Sequence, residues 1–473
     1  MIVPAHSGRS RSAVAESRLA SFLGDHAVRF LLCFLCLFPA IAFAAEPAFK
    51  AGVATVVITP AEPLWMAGYS SRNKPAAEKE HDLYAKAVAL EDASGTKLVI
   101  VGTDLVGLPR TISEPVAQEV AKRAGLPRER LMLTSSHTHC GPVVRDNLMD
   151  MYDMPAEMRR KVAEYGDVLK DKLVEVILAA LKDRKPAVLH RGQGTARFAV
   201  NRRKPTPTGF ANDANPEGPV DHSVPVLRVT TPEGKLRAVL FGYACHNTTM
   251  QYFKWSGDYA GFAQIELEHK HPEAVALFWM GCGGDANPLP RSKIELCQKY
   301  GKELAISVDE VLTHGKLTEI TGSFTAKYAE IALDFDKIPG REHWTAEAAT
   351  KNYILQTRAT KFLKMLDAGG KIPDQYPHYP VQVWTLGDLL WISLGGECVV
   401  DYSHRLKKEL GKDRPVWVTA YANDVMAYIP SERVLKEGGY EGDTSMQAYG
   451  MPTKWAAGIE EKIVGKVKEL ATK

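Results

Sequence analysis

An apolar segment that ends in two closely spaced histidines is the feature that most limits how this chain can fold. The aliphatic residues 131–133 lead through a short polar run to His137 and His139, and Gly141-Pro142 follows. On a helix the two imidazoles would point about 200° apart, because each residue turns the chain by roughly 100°. On a strand, residues two apart face the same side. The aliphatic approach and the Gly-Pro stop favour a strand that carries both imidazoles at its end. Such a pair suits a metal ion or a general base, and two surface histidines without a role are the alternative.

The beginning of the chain predicts an export signal. Basic residues precede an apolar segment from Phe30 to Phe43, and Ala42-Phe43-Ala44 fits a small-residue cleavage site. About 14 apolar residues are too few to cross a bilayer, where ~20 are needed. We therefore expect residues 1–44 to be a signal peptide and the mature protein to be exported, either periplasmic or secreted.

Composition narrows the class of protein. The chain has 45% hydrophobic and 24% charged residues, which is ordinary for a globular protein. A formal charge of +3, without a block of basic residues, gives no reason to expect a nucleic-acid partner. Beyond the signal there are five cysteines, and this odd number requires at least one free thiol. Because they contain no CxxC pair, we expect small buried residues and not a disulfide framework or a Cys₄ zinc site. They are Cys140, Cys245, Cys282, Cys297 and Cys398.

Strands and helices alternate along the chain, which predicts an α/β fold with mixed β-sheets flanked by helices. The predicted strands are 51–58, 84–90, 97–103, 131–137, 187–200, 224–229, 238–245, 274–280, 381–384 and 389–394. The predicted helices are 113–124, 156–183, 261–270, 294–312, 345–366, 402–410 and 455–470. Residues 204–219 are rich in Pro, Asn and Gly and are predicted to form one long loop. No linker separates domains, so residues 45–473 are expected to form a single domain.

Four later segments repeat the pattern in which an apolar strand ends in unusual polar residues. His246 follows the first of these strands, and a histidine bonded to a backbone carbonyl is the alternative reading. The Gly-rich turn 281–284 can direct several N–H groups at an oxyanion, but it is neither a P-loop nor a dinucleotide motif. Glu397 ends the third strand, where a carboxylate is costly unless it is paired, binds a metal or begins a helix. Tyr428 follows the last segment and, taken alone, is a packed aromatic residue.

Together these segments resemble the catalytic domain of the neutral/alkaline, non-lysosomal ceramidase family, whose members are zinc-dependent amidases. The family's His-Thr-His-Ser-Gly-Pro is similar to residues 137–142, with Cys140 in place of the serine. Its Ala-Val-His-x-Thr-Ser-Met resembles residues 244–250, and its Gly-Glu-Phe resembles residues 396–398. The resemblance covers nearly all of the chain after the signal, with the motifs in the same order.

Two further motifs match the family and one departs from it. The family's pair of tyrosines, twelve residues apart with glutamate after the second, resembles Tyr428 and Tyr440. Its Asn-Arg pair resembles Asn201-Arg202. The family's Gly-Asp-Val-Ser-Pro-Asn loop contains a serine that was a candidate nucleophile, and Asn287 stands in its place. An amide cannot act as that nucleophile, so a covalent serine route is excluded at this position.

The resemblance implies a Zn²⁺-dependent hydrolase that cleaves an N-acyl amide bond with a zinc-activated water. The implied zinc ligands are His137, His246, Glu397 and Tyr428. His139 would transfer a proton, Arg202 and Tyr440 would hold the scissile carbonyl, and Asn287 would stand in the polar wall of the site. A metallohydrolase or esterase acting on a non-lipid substrate is one alternative. A non-catalytic homologue that only binds the metal is the other.

The family's ceramidases carry a β-sandwich domain after the catalytic domain, and this sequence ends at Lys473, soon after the tyrosine motif. We therefore expect the catalytic domain alone, without the C-terminal immunoglobulin-like domain. The expected partner is a small-molecule or lipid-like amide substrate, with a soluble amide preferred to ceramide held in vesicles. No transmembrane segment is expected after removal of the signal.

Overall fold

The structure is a computed structural model, and it describes residues 49–472. The predicted signal peptide lies outside these residues. Within the described range, the largest sheet has nine strands and is mixed. In spatial order its strands are Val275–Met280, Leu236–Tyr243, Ser223–Thr230, Lys185–Thr195, Phe49–Val57, Tyr84–Asp92, Lys97–Thr103 and Leu131–Ser135, and Thr318–Glu319 pairs with Lys185–Thr195 off this path. The pair at each edge is parallel and the inner pairs are antiparallel.

A second mixed sheet of the described chain has four strands, in the order Phe324–Asp334, Gln375–Leu386, Leu389–Leu394 and Val416–Thr419. A three-stranded sheet consists of Gly209–Asn215, Ala199–Thr206 and Ala286–Pro288. Short two-stranded pairings join Leu64–Trp65 to Pro75–Ala76, Glu78–Lys79 to Lys254–Trp255, and Glu397–Cys398 to Tyr428–Ile429.

Helices cover the outer faces of the two large sheets. They are Arg110–Ala124, Ala156–Lys182, Asp258–Lys270, Ile294–Thr313, Arg341–Ala348, Tyr353–Asp367, Val400–Leu410, Glu432–Glu437, Ser445–Ala448 and Ile459–Ala471, with a π-helix at Tyr440–Thr444 and 3₁₀ turns at Arg128–Arg130 and Met149–Met151. The longest helix, Ala156–Lys182, packs on the nine-stranded sheet. Ile459–Ala471 packs on the four-stranded sheet.

The core lies in layers because strands such as Tyr84–Asp92, Lys97–Thr103 and Leu131–Ser135 bury both of their faces. In the strand Tyr84–Asp92, Ala87 and Ala89 join the core on the helix side, while Val88 and Leu90 join a separate core between the two sheets. That second core contains Trp384 and other tryptophans of the four-stranded sheet. Burial on both faces explains why these strands are almost continuously apolar in the sequence. The α/β class with mixed sheets flanked by helices is confirmed.

The carboxyl ends of strands from both sheets meet at one place. A Cβ atom added to Gly102 would lie 2.7 Å from the carbonyl oxygen of Phe278, so strands near opposite edges of the large sheet approach closely. Ala420, just after the last strand of the four-stranded sheet, donates its N–H to the carbonyl of Met280 at 3.0 Å. The N–H of Asn423 reaches the carbonyl of Leu133 at 2.7 Å. The segments that follow these strands are therefore brought together.

Several predicted elements differ from the structure. The predicted strand 187–200 is two strands in different sheets, and the predicted helix 345–366 is two helices, because Asn352 caps a new helix with its side chain. The predicted loop 204–219 contains a β-hairpin, paired from Gly209–Thr206 to Asn215–Asn201. The strand Phe324–Asp334 was missed.

Two predicted helix starts are also wrong. Ser113 was expected to cap its helix, but the helix begins at Arg110, and the hydroxyl of Ser113 donates to the carbonyl of Asn423. Trp455 was expected to begin the last helix. Instead its ring stacks on Phe335 with centroids 4.8 Å apart, and the helix begins at Ile459.

Candidate metal centre

Two of the predicted metal ligands, His137 and His246, follow buried strands, and the other two, Glu397 and Tyr428, each begin a short buried strand. His137 comes two residues after Leu131–Ser135 and has a left-handed backbone with φ 63°, a conformation that is uncommon outside glycine. His246 follows the strand Leu236–Tyr243, which is second from the opposite edge of the same sheet. Glu397 and Tyr428 pair with each other in parallel register. These local arrangements bring all four side chains into one buried cluster, with 0–3% of each side chain or residue exposed.

The donor atoms of this cluster lie close together. The Oε2 atom of Glu397 is 3.1 Å from Nε2 of His137 and 3.2 Å from Nε2 of His246. Nε2 of His246 is also 3.1 Å from the hydroxyl of Tyr428. Ligand atoms about 2.0–2.1 Å from a tetrahedral zinc ion lie roughly 3.3 Å from one another. The spacing of the donors therefore fits a small metal ion bound between them.

Backbone contacts orient two of the imidazoles toward the centre of the cluster. Nδ1 of His137 is 2.5 Å from the carbonyl oxygen of Val106, and Nδ1 of His246 is 2.8 Å from the carbonyl oxygen of Gly283. A carbonyl oxygen can only accept, so each Nδ1 carries the proton and each Nε2 keeps its lone pair. Metal-bound histidines are usually held in this way. The chemistry of the donor set thus agrees with its spacing.

His139 belongs to the same cluster but is held differently. The ligand nitrogens of His137, His139 and His246 lie within 4.8 Å of one another, so this buried group could bind a metal ion. Nε2 of His139 is 3.1 Å from Nε2 of His137. Its Nδ1 is buried without a hydrogen-bond partner among residues 49–472. It therefore lacks the orienting contact that His137 and His246 both have.

Electrostatics keep the cluster in the protonation states that a cation requires. Burial opposes ionisation of Glu397, but His137 and His246 nonetheless hold its pKa well below the usual range. Burial, reinforced by Arg202, lowers the pKa of His246 to about 3. Burial also lowers the pKa of His139, and it raises the pKa of Tyr428. The carboxylate is therefore ionised and these two imidazoles are neutral near pH 7. A bound cation would counteract the rise in the phenol's pKa.

Arg202 lies directly beside the donor cluster. Its Nη2 donates to the hydroxyl of Tyr428 at 2.9 Å, its Nη1 to Oδ1 of Asn287 at 3.2 Å, and its Nε to Oε1 of Glu441 at 2.7 Å. Burial opposes its charge, but Tyr428 and Glu441 raise the pKa of Arg202 well above the usual range. A permanently charged guanidinium is thus fixed beside the cluster of donor atoms.

Asn287 and Tyr440 complete this side of the site. Oδ1 of Asn287 accepts from Arg202 and from the hydroxyl of Thr248 at 3.3 Å. Because arginine can only donate, the oxygen of Asn287 must face it. The ring centroid of Tyr440 lies 5.3 Å from the ring centroid of Tyr428. It lies 5.7 Å from Cζ of the Arg202 guanidinium. Tyr440 is 36% exposed and stands at the mouth of the site. All eight predicted site residues are therefore brought together.

The sequence analysis missed two tyrosines that contact the carboxylate of Glu397. The hydroxyl of Tyr449 donates to Oε1 of Glu397, and the hydroxyl of Tyr421 lies 3.4 Å from its Oε2. Tyr421 comes two residues after the strand Val416–Thr419, so the strand-end pattern could have identified it. Tyr449 follows a single short helical turn, Ser445–Ala448, and no local sequence pattern indicates it.

The predicted state of the cysteines agrees with the structure. The five that lie within the described residues are free and buried. Cys282 and Cys398 belong to segments that carry the site, since Gly283 contacts His246 and Cys398 follows Glu397. The thiols are packed core groups, and burial raises the pKa of Cys140, Cys245, Cys282 and Cys297.

The fold and the donor group define an α/β protein with a buried site suited to a metal ion. Residues 49–328, more than half of the chain, match the family model for the N-terminal part of neutral/alkaline non-lysosomal ceramidase. The chain belongs to this family. A comparison with curated protein sequences finds no match.

Solved structures support the same fold. The neutral ceramidase from Pseudomonas aeruginosa is similar over 85% of this chain and 72% of its own, with 21% sequence identity and a TM-score of 0.66. A structure described as ceramidase complexed with C2 covers 86% of this chain and 72% of its own, with 20% identity and a TM-score of 0.67. Within the described residues of this chain, no helix is both long and apolar enough to cross a membrane.

Proposed function

We propose that this protein is a zinc-dependent hydrolase that cleaves the C–N bond of an N-acyl amide. The proposal rests chiefly on the spacing of the donor atoms: the carboxylate of Glu397 lies 3.1 Å and 3.2 Å from two imidazole nitrogens. Those nitrogens belong to His137 and His246, and Tyr428 supplies the fourth proposed ligand. Membership of the ceramidase family supports hydrolysis of an amide. When bound, zinc polarises a carbonyl group and lowers the pKa of water from 15.7 to about 7.

His139 is proposed to transfer protons and not to bind the metal. Its Nδ1 makes no contact with a protein acceptor in the described part of the chain, whereas Nδ1 of His137 and of His246 each donates to a backbone carbonyl. Its lowered pKa leaves it neutral and able to accept a proton. In the proposed reaction, His139 takes a proton from the attacking water and returns it to the leaving amine nitrogen.

Three residues are proposed to hold the substrate carbonyl while negative charge develops on its oxygen. Arg202 supplies a fixed positive charge. Burial raises the pKa of Tyr440 to about 12, so its hydroxyl stays protonated and can donate. The oxygen of Asn287 is occupied by Arg202 and Thr248, so its amide N–H groups remain available as donors. Preorganised donors of this kind lower the barrier because they need no reorientation during the reaction.

The proposed substrate is a lipid-like or more soluble N-acyl amide. Two structural neighbours are described as ceramidases, which supports an acyl amide of lipid origin. A cavity of about 360 Å³ opens beside Tyr449. Its lining is mostly polar: the four charged residues Asp146, Asp150, Arg159 and Lys361 accompany apolar Leu148 and Met149, so it suits the polar end of an amide substrate better than a long acyl chain. The composition of residues 1–44 supports export, to the periplasm or out of the cell.

Metal analysis combined with a substrate panel tests this function. Purified protein should contain one zinc ion per chain, hydrolyse at least one N-acyl amide, lose activity with a chelator and regain it with added zinc. The panel should pair short-chain and soluble acyl amides with ceramide in vesicles and with matched esters. A tenfold difference in kcat/KM, about 1.4 kcal/mol, decides between them. Preference for the esters would indicate an esterase. Zinc-loaded protein that cleaves nothing in the panel would indicate a non-catalytic homologue.

The Glu397→Ala variant tests the ligand set directly. We expect it to lose the metal and not merely to react more slowly, because Glu397 is the only proposed anionic carboxylate ligand and lies between two imidazoles. His269→Ala is the matched control, since His269 is exposed on the helix Asp258–Lys270. The measurement is the zinc content of both purified variants. A fully zinc-loaded Glu397→Ala protein would refute the assignment.

A further inference from the structure

Arg203, the neighbour of Arg202, makes three buried hydrogen bonds through its two terminal nitrogens, while its Nε has no partner among residues 49–472. Its side chain is only 2% exposed. Nη1 donates to Oε2 of Glu441 at 2.7 Å, and Nη2 donates to Oε2 of Glu437 at 3.0 Å and to the carbonyl of Gly438 at 2.9 Å. The guanidinium also lies over the ring of Phe210, 4.9 Å from its centroid. These contacts join the hairpin 199–215 to the end of the helix Glu432–Glu437 and to the π-helix.

Glu441 connects Arg203 to the site. Its Oε1 accepts from Arg202, and its Oε2 accepts from Arg203, each at 2.7 Å. Burial opposes the ionisation of Glu441, but Arg202 and then Arg203 hold its pKa below the usual range. A carboxylate shared in this way has both of its oxygens fixed, so it cannot rotate without losing one charged hydrogen bond. Arg203 therefore helps to fix the carboxylate of Glu441, and Oε1 of Glu441 is one of the three groups that hold Arg202 in place.

Charge balance supports a single coupled unit. Arg202, Arg203 and Arg433 carry three positive charges, and Glu441, Glu437 and Asp401 carry three negative charges, since Arg433 pairs with both Glu437 and Asp401. Buried charges need such pairing, since leaving one of them alone is strongly unfavourable. Glu441 directly follows Tyr440, so the same bridge also fixes the backbone that carries Tyr440 to the mouth of the site.

We propose that Arg203 is a positioning residue: through Glu441 it sets the place of the Arg202 guanidinium and the Tyr440 ring relative to the metal site. It touches neither the proposed ligands nor the substrate position. The consequence is that the hairpin 199–215, which contacts the π-helix through Arg203 and Phe210, controls the geometry with which the substrate carbonyl is held. The kinetic test of this inference, the change in kcat, rests on the proposed amide hydrolysis. The structural test, the position of Arg202, is independent of that function.

Arg203→Met and Arg203→Lys are the informative variants. Methionine keeps the length of the side chain and its packing on Phe210 but removes every N–H donor. Lysine keeps the charge but cannot reach Glu441, Glu437 and the Gly438 carbonyl with the fork of a guanidinium. We expect Arg203→Met to lower kcat by roughly 10- to 100-fold, because a displacement of about 1 Å at a reacting group costs rates of this order. Arg203→Lys should recover part of the loss. Zinc content should equal that of the wild type in both.

Lys204→Met is the matched control, because Lys204 is the next residue on the same hairpin and forms only an exposed pair with Asp213 at 2.7 Å. Its kcat and KM should equal those of the wild type. If Arg203→Met does not fold, Glu437→Gln serves instead, since it weakens one contact of Arg203 and leaves Glu441 in place; Arg433→Met, which removes the other partner of Glu437, is measured beside it as a control. Glu437→Gln should show a smaller fall in kcat of the same kind. Unchanged kcat per zinc-loaded molecule in Arg203→Met would overturn the proposal, even if its thermal stability fell.

Crystal structures of the wild type and Arg203→Met separate this inference from the proposed function. We expect the bond from Nε of Arg202 to Glu441 to be broken or rotated in the variant, while His137, His246 and Glu397 keep their positions. If the wild type cleaves no amide, the proposed function fails. The role of Arg203 is then still tested by whether Arg202 has moved in the crystal structure of Arg203→Met compared with the wild type. An unmoved Arg202 would overturn the inference whatever the activity.

Discussion

Gly68 lies so close to the ring of His139 that no side chain fits between them. A Cβ atom at Gly68 would lie 2.4 Å from Cγ of His139. Gly68 also has a backbone φ of +96°, which is unfavourable for residues other than glycine. The N–H of Gly68 donates to the hydroxyl of Tyr152 at 2.7 Å, which fixes the glycine in place. His139 also packs edge-on against Tyr69, with centroids 4.8 Å apart. At the scale of single residues, the segment 68–69 thus forms the wall that holds the proposed proton-transfer residue.

Gly68→Ala should displace His139 without emptying the metal site. We expect kcat to fall by roughly 10²-fold, at the lower end of what general acid–base catalysis contributes, with zinc content unchanged. Gly234→Ala is the control, because Gly234 also has a positive φ, of 89°, but no atom stands within 4 Å of its added Cβ. It should lose stability but not kcat. Equal kcat for the two variants would show that the contact with His139 has no kinetic importance.

At the scale of elements, Asp424 ties the segment before Tyr428 to two other parts of the fold. Its Oδ1 accepts from the N–H of Arg110 at 3.0 Å, at the start of a helix, and its Oδ2 accepts from the hydroxyl of Tyr376. Its backbone carbonyl accepts from Gly396 at 2.8 Å, directly before Glu397. Burial raises the pKa of Asp424 to about 7, opposed by Tyr376.

This raised pKa predicts how stability depends on pH. Because the pKa of Asp424 is higher in the folded than in the unfolded protein, its protonated form stabilises the fold. The contribution is complete below about pH 4 and is lost as the pH rises through about 7. A shift of about three pKa units corresponds to roughly 4 kcal/mol at most. Asp424→Asn should flatten the dependence of the unfolding free energy on pH over this window, measured by denaturant titration. Parallel curves for variant and wild type would contradict the assignment.

The elements that the sequence predicts well are those whose signal is local. Apolar strands such as Lys97–Thr103 are recognisable because they are buried on both faces. Residues 204–219, which include the turn and second strand of the hairpin 199–215, were predicted to be a loop because they are rich in Pro, Asn and Gly. What stabilises the hairpin is distant in sequence: Arg203 reaches Glu437 and Glu441. Such partners leave no local pattern.

The site residues, like the secondary-structure elements, can be predicted only where their signal is local in the sequence. Strand ends with unusual polar residues identify where His137, His246 and Glu397 stand, because buried strands that meet at one end bring such residues together. The sequence does not reveal that Tyr449 donates to Glu397, nor that Glu441 is shared by two arginines. Both depend on how the chain after residue 430 folds back over the sheets.

At the scale of the whole molecule, a metal bound at this site would link both large sheets. The proposed ligands span residues 137–428 and follow strands of the two sheets. Zinc should therefore raise the thermal unfolding temperature, because a ligand at about 1,000 times its Kd stabilises the folded state by ~4 kcal/mol. For a chain of this size we expect a rise of at least several degrees. Differential scanning calorimetry with zinc and with chelator measures it. Glu397→Ala should show no zinc-dependent shift, and an unchanged wild-type temperature would contradict the link.

The meeting of strand ends from both sheets also bears on how the protein is made. The ribosome synthesises the chain from its amino end, so the residues His137 and His246 are made well before Glu397 and Tyr428. A chain synthesised only as far as His246 therefore carries two of the proposed ligands. It lacks Glu397 and Tyr428, so its metal site is incomplete. The four proposed ligands come together only when the segment 416–429 docks beside the edge strands of the nine-stranded sheet. In a metal-bound protein, the four proposed ligands would therefore be present together only after residue 428 has been synthesised and the segment 416–429 has docked.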